Sequence, residues 1–84
     1  MILIEFRLPQ LSMGMSEATV ERWLKTEGGA IAEGDDLVEV ESEKALVTLP
    51  APASGVLRQI CAQEGTDVEV LSVLAVIEPT APRP

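Results

Sequence analysis

A chain of 84 residues makes one domain with a small core, in which each buried side chain matters. Its formal charge of −8, with 14 acidic residues against 6 basic ones, argues against nucleic acid and against an anionic membrane surface, since both are held by Lys and Arg. The acidic balance suits solubility and attraction toward basic partner sites, with a merely solvated face as the plainer reading.

The opening Met1-Ile2-Leu3-Ile4 meets Glu5 too soon for a signal peptide. Ile4, Phe6 and Leu8 then alternate with Glu5 and Arg7, the period of a half-buried strand over Ile2 to Leu8, which Pro9 ends. Gln10 to Glu17, with Ser12, Gly14 and Ser16, reads as a loop. Val20, Trp23 and Leu24 fall at i, i+3 and i+4, and Leu57, Ile60 and Cys61 repeat that spacing. Taken alone the spacing is helical. Both segments are short, rich in β-formers and closed by glycine, so a bulged strand fits at least as well. Glu27-Gly28-Gly29, Glu33-Gly34-Asp35 and Glu64-Gly65-Thr66 read as turns.

Leu37 to Leu49 reads as a hairpin. Val38 and Val40 face one way and Glu39, Glu41 and Glu43 the other, and Ala45, Val47 and Leu49 resume the alternation, with Ser42-Glu43-Lys44 near the tip. Pro50 to Gly55 is a connection into a second half. In the apolar run Ile60-Cys61-Ala62 the lone cysteine is expected to be a small packing residue. With no partner it forms no internal disulfide, so the expected compartment is the cytoplasm, or the mitochondrial matrix for a eukaryotic chain. The apolar stretch from Val70 to Ile77 is far short of the ~20 residues of a membrane helix. Pro79 to Pro84 has linker composition, which divides the chain into a folded unit over 1–78 and the start of a tether over 79–84.

An offset of about 37 positions lays Glu27-Gly28 on Glu64-Gly65, Leu37 on Leu74, Val40 on Ile77 and Glu41 on Glu78. Short strands repeated twice with turns between them describe an all-β barrel or sandwich. Lys44 lies between the two copies and belongs to neither. A lysine at a hairpin tip projects alone, where another protein's active site can reach it. Acylation would turn it into a neutral amide carrying a tethered cofactor.

Other chemistry is poorly supported. The absence of histidine and of a cysteine pair removes zinc sites, catalytic triads and the usual general bases, so catalysis by this chain alone is not expected. Glu39, Glu41 and Glu43 recur every second residue, as on a solvent face, and no metal site is expected there. The glycines form no phosphate-cradling pattern.

The ordered set Leu8-Pro9-Gln10-Leu11-Ser12-Met13-Gly14-Met15-Ser16-Glu17, Trp23-Leu24-Lys25, Gly34-Asp35, Glu39-Val40-Glu41-Ser42-Glu43-Lys44-Ala45, Pro52-Ala53-Ser54-Gly55-Val56-Leu57, Glu64-Gly65 and Leu74-Ala75-Val76-Ile77 resembles the lipoyl domain of the acyltransferase component of 2-oxo acid dehydrogenase complexes. The resemblance spans Ile4 to Glu78. It implies a flattened β-barrel, a barrel-sandwich hybrid of two four-stranded antiparallel sheets related by a pseudo-two-fold axis, with the lysine on a hairpin of one sheet and the termini in the other. It also implies that Lys44 carries lipoic acid in amide linkage, with Glu43 and Ala45 as flanking recognition residues. The implied partners are a thiamine-dependent 2-oxo acid decarboxylase, an acyltransferase catalytic domain, a dihydrolipoyl dehydrogenase and a lipoate-attaching enzyme, and the isolated domain is expected to be monomeric.

Three positions depart from the family pattern. Glu43 replaces a usual aspartate, Ala18 stands where glycine is common, and Leu71 stands where the second half usually has a glycine turn. The loop Leu11 to Glu17 is expected near the lysine, with Met13 and Met15 either exposed for partner contact or covering the barrel's end. Rival carriers also resemble the chain. A biotinyl domain normally flanks its lysine with methionine. A glycine-cleavage carrier shares Glu-Ser-x-Lys-Ala but is longer and generally lacks the opening loop. An unmodified lipoyl-like adaptor would insert a long helical hairpin, for which Ala45 to Gly55 leaves no room.

Overall fold

The computed structural model describes residues 2–11, 13–42 and 45–80. Regular structure among them is entirely β: β1 (Ile4–Arg7), β2 (Glu17–Trp23), β3 (Ala30–Ile31), β4 (Asp36–Ser42), β5 (Ala45–Pro50), β6 (Gly55–Ile60), β7 (Asp67–Glu69) and β8 (Val73–Pro79). They form two four-stranded antiparallel sheets, ordered β1-β8-β6-β3 and β5-β4-β2-β7. Advancing each strand of one sheet by four converts its order into that of the other. The sequence repeat is therefore a topological two-fold, and the two halves exchange strands to build both sheets.

The apparent helical spacing at Val20, Trp23 and Leu24 belongs to a strand. Register against β4 shifts between Val20 and Arg22, and the equivalent shift between Leu57 and Gln59 occurs where β6 meets β8. An extra residue in a strand changes an inward spacing of two into three, which imitates a helical period. Each bulged strand is secured by a carboxylate from the other half. Glu64 Oε2 accepts from the Trp23 N–H at 2.9 Å, and Glu27 Oε2 accepts from the Ile60 N–H at 2.8 Å.

Repeat-related residues fill the core together. Val20 with Leu57, Leu37 with Leu74, Val38 with Ala75 and Val40 with Ile77 are all sealed from solvent, and Phe6 and Leu8 of the first half are matched by Leu49 and Ala51. Burying one such leucine or valine contributes about 1.5–3 kcal/mol, so the alternation in each strand fixes which face turns inward.

Two turns show the repeat at the level of single hydrogen bonds. The Gly34 N–H donates to Ala51 O (3.0 Å) and the Ala51 N–H to Asp35 O (2.8 Å), while the Leu71 N–H donates to Leu8 O (2.8 Å) and the Leu8 N–H to Ser72 O (3.0 Å). Gly34 has φ +91°, and Leu71, its counterpart, has φ +75°. The non-glycine residue adopts the backbone that the glycine turn demands. Asp35 ties down the first of these turns, its Oδ2 accepting from the Ala32 N–H at 3.0 Å and lying 3.3 Å from Lys25 Nζ.

Two readings of burial are corrected. Cys61 is exposed: it lies just past the end of β6, where its backbone N–H donates to Leu74 O and its thiol is left at the surface. Met15 is buried, since the loop after β1 folds its thioether inward to accept from the Leu11 N–H at 3.3 Å. Of the linker expected over 79–84, Pro79 closes β8 and the Thr80 N–H donates to Ser54 O, while Ala81 to Pro84 lie outside the described residues.

Candidate functional site

The hairpin of β4 and β5 is in register from Val38↔Leu49 through Val40↔Val47 and Glu41↔Leu46 to Ser42↔Ala45. Val38, Val40 and Ser42 face the interior with period two, while Glu41, Ala45 and Leu46 are exposed. The ladder closes at Ser42↔Ala45, so the connection consists of residues 43 and 44. Glu43 and Lys44 themselves, the central residues expected of the site, lie outside the described residues. Ala45, the third, is the exposed first residue of β5.

Glu39 is half-buried on the flank of the hairpin, with Oε1 3.6 Å from Arg22 Nε across the β2–β4 pair. The loop between β1 and β2 reaches the same end of the molecule. Gly14 to Thr19 and the β4 residues Glu41 and Ser42 line one cleft of about 270 Å³. The loop's far side is held by the Val70 N–H donating to Ser16 O and by Thr19 Oγ1 donating to Asp67 Oδ1 at 2.6 Å. Met13 projects fully at the loop's crest, 98 % exposed, whereas Met15 anchors its base. The fold thus brings the loop to Glu41 and Ser42 at the end of β4 and presents one methionine rather than two, while Lys44, the neighbour expected of it, lies outside the described residues.

Ser42 was singled out only as part of the motif around Lys44. In the fold it is 6 % exposed, and its Oγ has no hydrogen-bond partner among the described residues. Its burial was legible in principle, because Val38, Val40 and Ser42 continue one inward alternation. Exposed Leu46, beside Glu41, carried no such signal.

A model of the biotin- and lipoyl-attachment family, described as "Biotin-requiring enzyme", matches residues 4–77. The chain is 43% identical over 74 residues to the dihydrolipoyllysine-residue succinyltransferase component of the 2-oxoglutarate dehydrogenase complex of Bartonella vinsonii subsp. berkhoffii, a match covering 88% of this chain and 18% of the relative. It is 36% identical over 74 residues to the dihydrolipoyllysine-residue acetyltransferase component of the pyruvate dehydrogenase complex of Staphylococcus aureus, covering 88% of this chain and 17% of the relative. The chain therefore spans less than a fifth of the length of these curated relatives. Among solved structures, that of the lipoyl domain of the 2-oxoglutarate dehydrogenase complex from Azotobacter vinelandii superposes with a TM-score of 0.75 at 27% identity, covering 92% of this chain and 99% of the other. With the two-sheet fold and the β4–β5 hairpin, these matches show that the chain belongs to the biotinyl/lipoyl-attachment family, as a lipoyl domain of the kind carried by the acyltransferase components of 2-oxo acid dehydrogenase complexes.

Proposed function

We propose that Lys44 is the attachment point for lipoic acid, in amide linkage, and that the chain acts as a carrier without catalytic groups of its own. The observation that carries this reading is the β4–β5 ladder, which closes at Ser42↔Ala45 and leaves only Glu43-Lys44 to join the strands. The residues fit the group. Glu41 and Ala45 on either side are exposed, so a modifying enzyme meets no covering side chain there, and the ladder fixes the position of both strands leading to the lysine. Glu43 and Ala45 are the flanking residues that such an enzyme reads. When bound, the lipoyl dithiolane supplies a redox-active disulfide that can carry acyl groups and electrons.

The chain's own contribution is presentation. A tethered cofactor is held at high effective concentration for every site within reach, and those sites belong to a thiamine-dependent 2-oxo acid decarboxylase, an acyltransferase domain and a dihydrolipoyl dehydrogenase. The partners lie elsewhere in a larger assembly, consistent with relatives several times longer than this chain. The carrier unit is the eight-stranded fold, which runs through Pro79 of β8 and the Thr80–Ser54 hydrogen bond, past the boundary at 78 expected from composition. The unpaired Cys61 favours a reducing compartment, cytoplasm or mitochondrial matrix.

The test is incubation with a lipoate-protein ligase, lipoic acid and ATP, followed by intact mass and peptide mapping, with biotin-protein ligase and biotin in parallel. A single lipoyl adduct at Lys44, absent from Lys44→Arg, is the expected result. A biotinyl adduct in its place, or none, would overturn the reading.

A further inference from the structure

Four strands lie at sheet edges, β1 and β3 in one sheet and β5 and β7 in the other. An edge strand presents unpaired backbone N–H and C=O groups to any extended segment that matches its register. β3 and β7, of two and three residues, are too short to hold one. β5 has no charged side chain to set a register. β1 has two, Glu5 and Arg7, which are exposed, of opposite sign, and ion-paired to each other along the strand.

The backbone of β1 turns these same two residues to the open side. Leu8 faces its own sheet, with its N–H donating to Ser72 O and its carbonyl accepting from the Leu71 N–H. Successive residues of a strand direct these groups to opposite edges. The bulge in the β1–β8 pair lies on β8, which advances two residues from Ala75 to Val73 while β1 advances one from Phe6 to Arg7. The alternation of β1 is therefore unbroken, as its burial shows: Glu5 and Arg7 are exposed, Phe6 and Leu8 buried. Phe6 and Leu8 turn their N–H and C=O groups toward β8. Those of Leu3, Glu5 and Arg7 face the open edge.

A second copy of β1, laid antiparallel, fits this edge in one register. Two copies related by a two-fold axis pair outward-facing residues with each other. An axis at Glu5 sets Glu5 against Glu5, and one at Arg7 sets Arg7 against Arg7; like charges directly opposite are destabilising. An axis at Ile4 sets Leu3 against Glu5 and leaves Arg7 without a partner inside the strand. An axis at Phe6 sets Glu5 against Arg7 of the second copy, twice. It also lays Leu3, 47% exposed, against the exposed Pro9, whose missing N–H leaves no donor unpaired at the end of the ladder.

We propose that the β1 edge pairs with the β1 edge of a second copy of this chain, antiparallel and centred on Phe6. The charge of −8 on each copy opposes association, and the paired strands are short, so the complex is weak and transient. Dilute chain is accordingly monomeric, and copies pair where they are concentrated. The β4–β5 hairpin belongs to the other sheet. A pair therefore keeps both hairpins outside the strand-to-strand contact and presents two attachment lysines as one unit. The pairing does not depend on whether Lys44 is acylated.

The experiment is sedimentation equilibrium of the chain from micromolar to millimolar concentration, with backbone amide shifts of the isotope-labelled chain recorded over the same range. The apparent mass is expected to rise above the 9.0 kDa of one chain, and the concentration-dependent shifts to be several-fold larger at Leu3, Glu5 and Arg7 than at Gly55 and Glu78. Glu5→Arg and Arg7→Glu, each with an unchanged circular dichroism spectrum, place like charges opposite one another and are each expected to weaken association about tenfold. An equimolar mixture of the two variants sets opposite charges together again and is expected to associate as the unsubstituted chain does. A chain that stays monomeric at millimolar concentration would overturn the proposal. Shift changes centred away from β1, association undiminished in both variants, or a mixture no better than either variant alone would overturn the assigned edge and register.

Discussion

Leu71 is the residue at which local chemistry and the fold disagree most. Its φ of +75° is the left-handed region, which costs an L-residue about 1–2 kcal/mol, while its side chain is 64% exposed and gives little burial in return. Glycine removes that strain but adds about 0.5–1 kcal/mol of unfolded-state entropy. Leu71→Gly is therefore expected to stabilise the chain by about 0.5–1 kcal/mol in urea unfolding, and Leu71→Val to destabilise it, because a β-branched residue resists positive φ more strongly. An unchanged midpoint in both variants would show that the turn carries no strain. Asp35 supplies a second residue-scale test. The Ala32 N–H, then the Lys25 ammonium, hold its carboxyl below the ordinary value of 3.8. A depressed folded-state pKa contributes stability above the unfolded value and loses it as pH falls through the lowered one. The midpoint of unfolding is expected to drop as pH falls from about 4 through that window, and Asp35→Asn to flatten this part of the profile. Parallel profiles for the two proteins would contradict the assignment.

At the scale of elements, the bulged strands β2 and β6 show why periodicity alone misleads. The spacing of Val20, Trp23 and Leu24 is helical on paper, yet each strand is paired on both sides and loses one step of register at its bulge. Short segments rich in Val, Ile and Trp and stopped by glycine carried the better signal. The reciprocal carboxylates are a further element-scale feature. Glu27→Ala and Glu64→Ala are each expected to cost about 1 kcal/mol, with glutamine recovering most of it, because an amide oxygen can still accept from the backbone. Hydrogen exchange at Ile60 and Trp23 respectively should accelerate. A stability loss without faster exchange at those amides would mean that the glutamates act some other way.

Over the whole molecule, stability and presentation are assigned to different residues. The core is built from repeat-related pairs such as Val20 with Leu57 and Leu37 with Leu74. Lys44 is outside that set, so Lys44→Arg is expected to keep the circular dichroism spectrum and melting temperature while losing the lipoyl adduct. Leu57→Ala removes a fully buried side chain, and is expected to cost about 2–5 kcal/mol. Unfolding of the Lys44→Arg chain would refute the separation.

The sequence by itself determined the repeat, the alternation that turns Val38, Val40 and Leu49 inward, the turns at Gly28, Gly34 and Gly65, and the isolation of Lys44 between two copies. These are local or periodic properties, and the hydrophobic effect translates them directly into faces and turns. It also marked Ala18 and Leu71 as departures, without their consequences. Only the tertiary structure decided that the halves exchange strands, that Met15 and Ser42 are buried while Cys61 is exposed, and that Gly55 lies against Pro79 with no room for a side chain. Such facts depend on which backbones approach each other across the sheets, and a close approach between residues distant in sequence is not written in the composition or period of either segment.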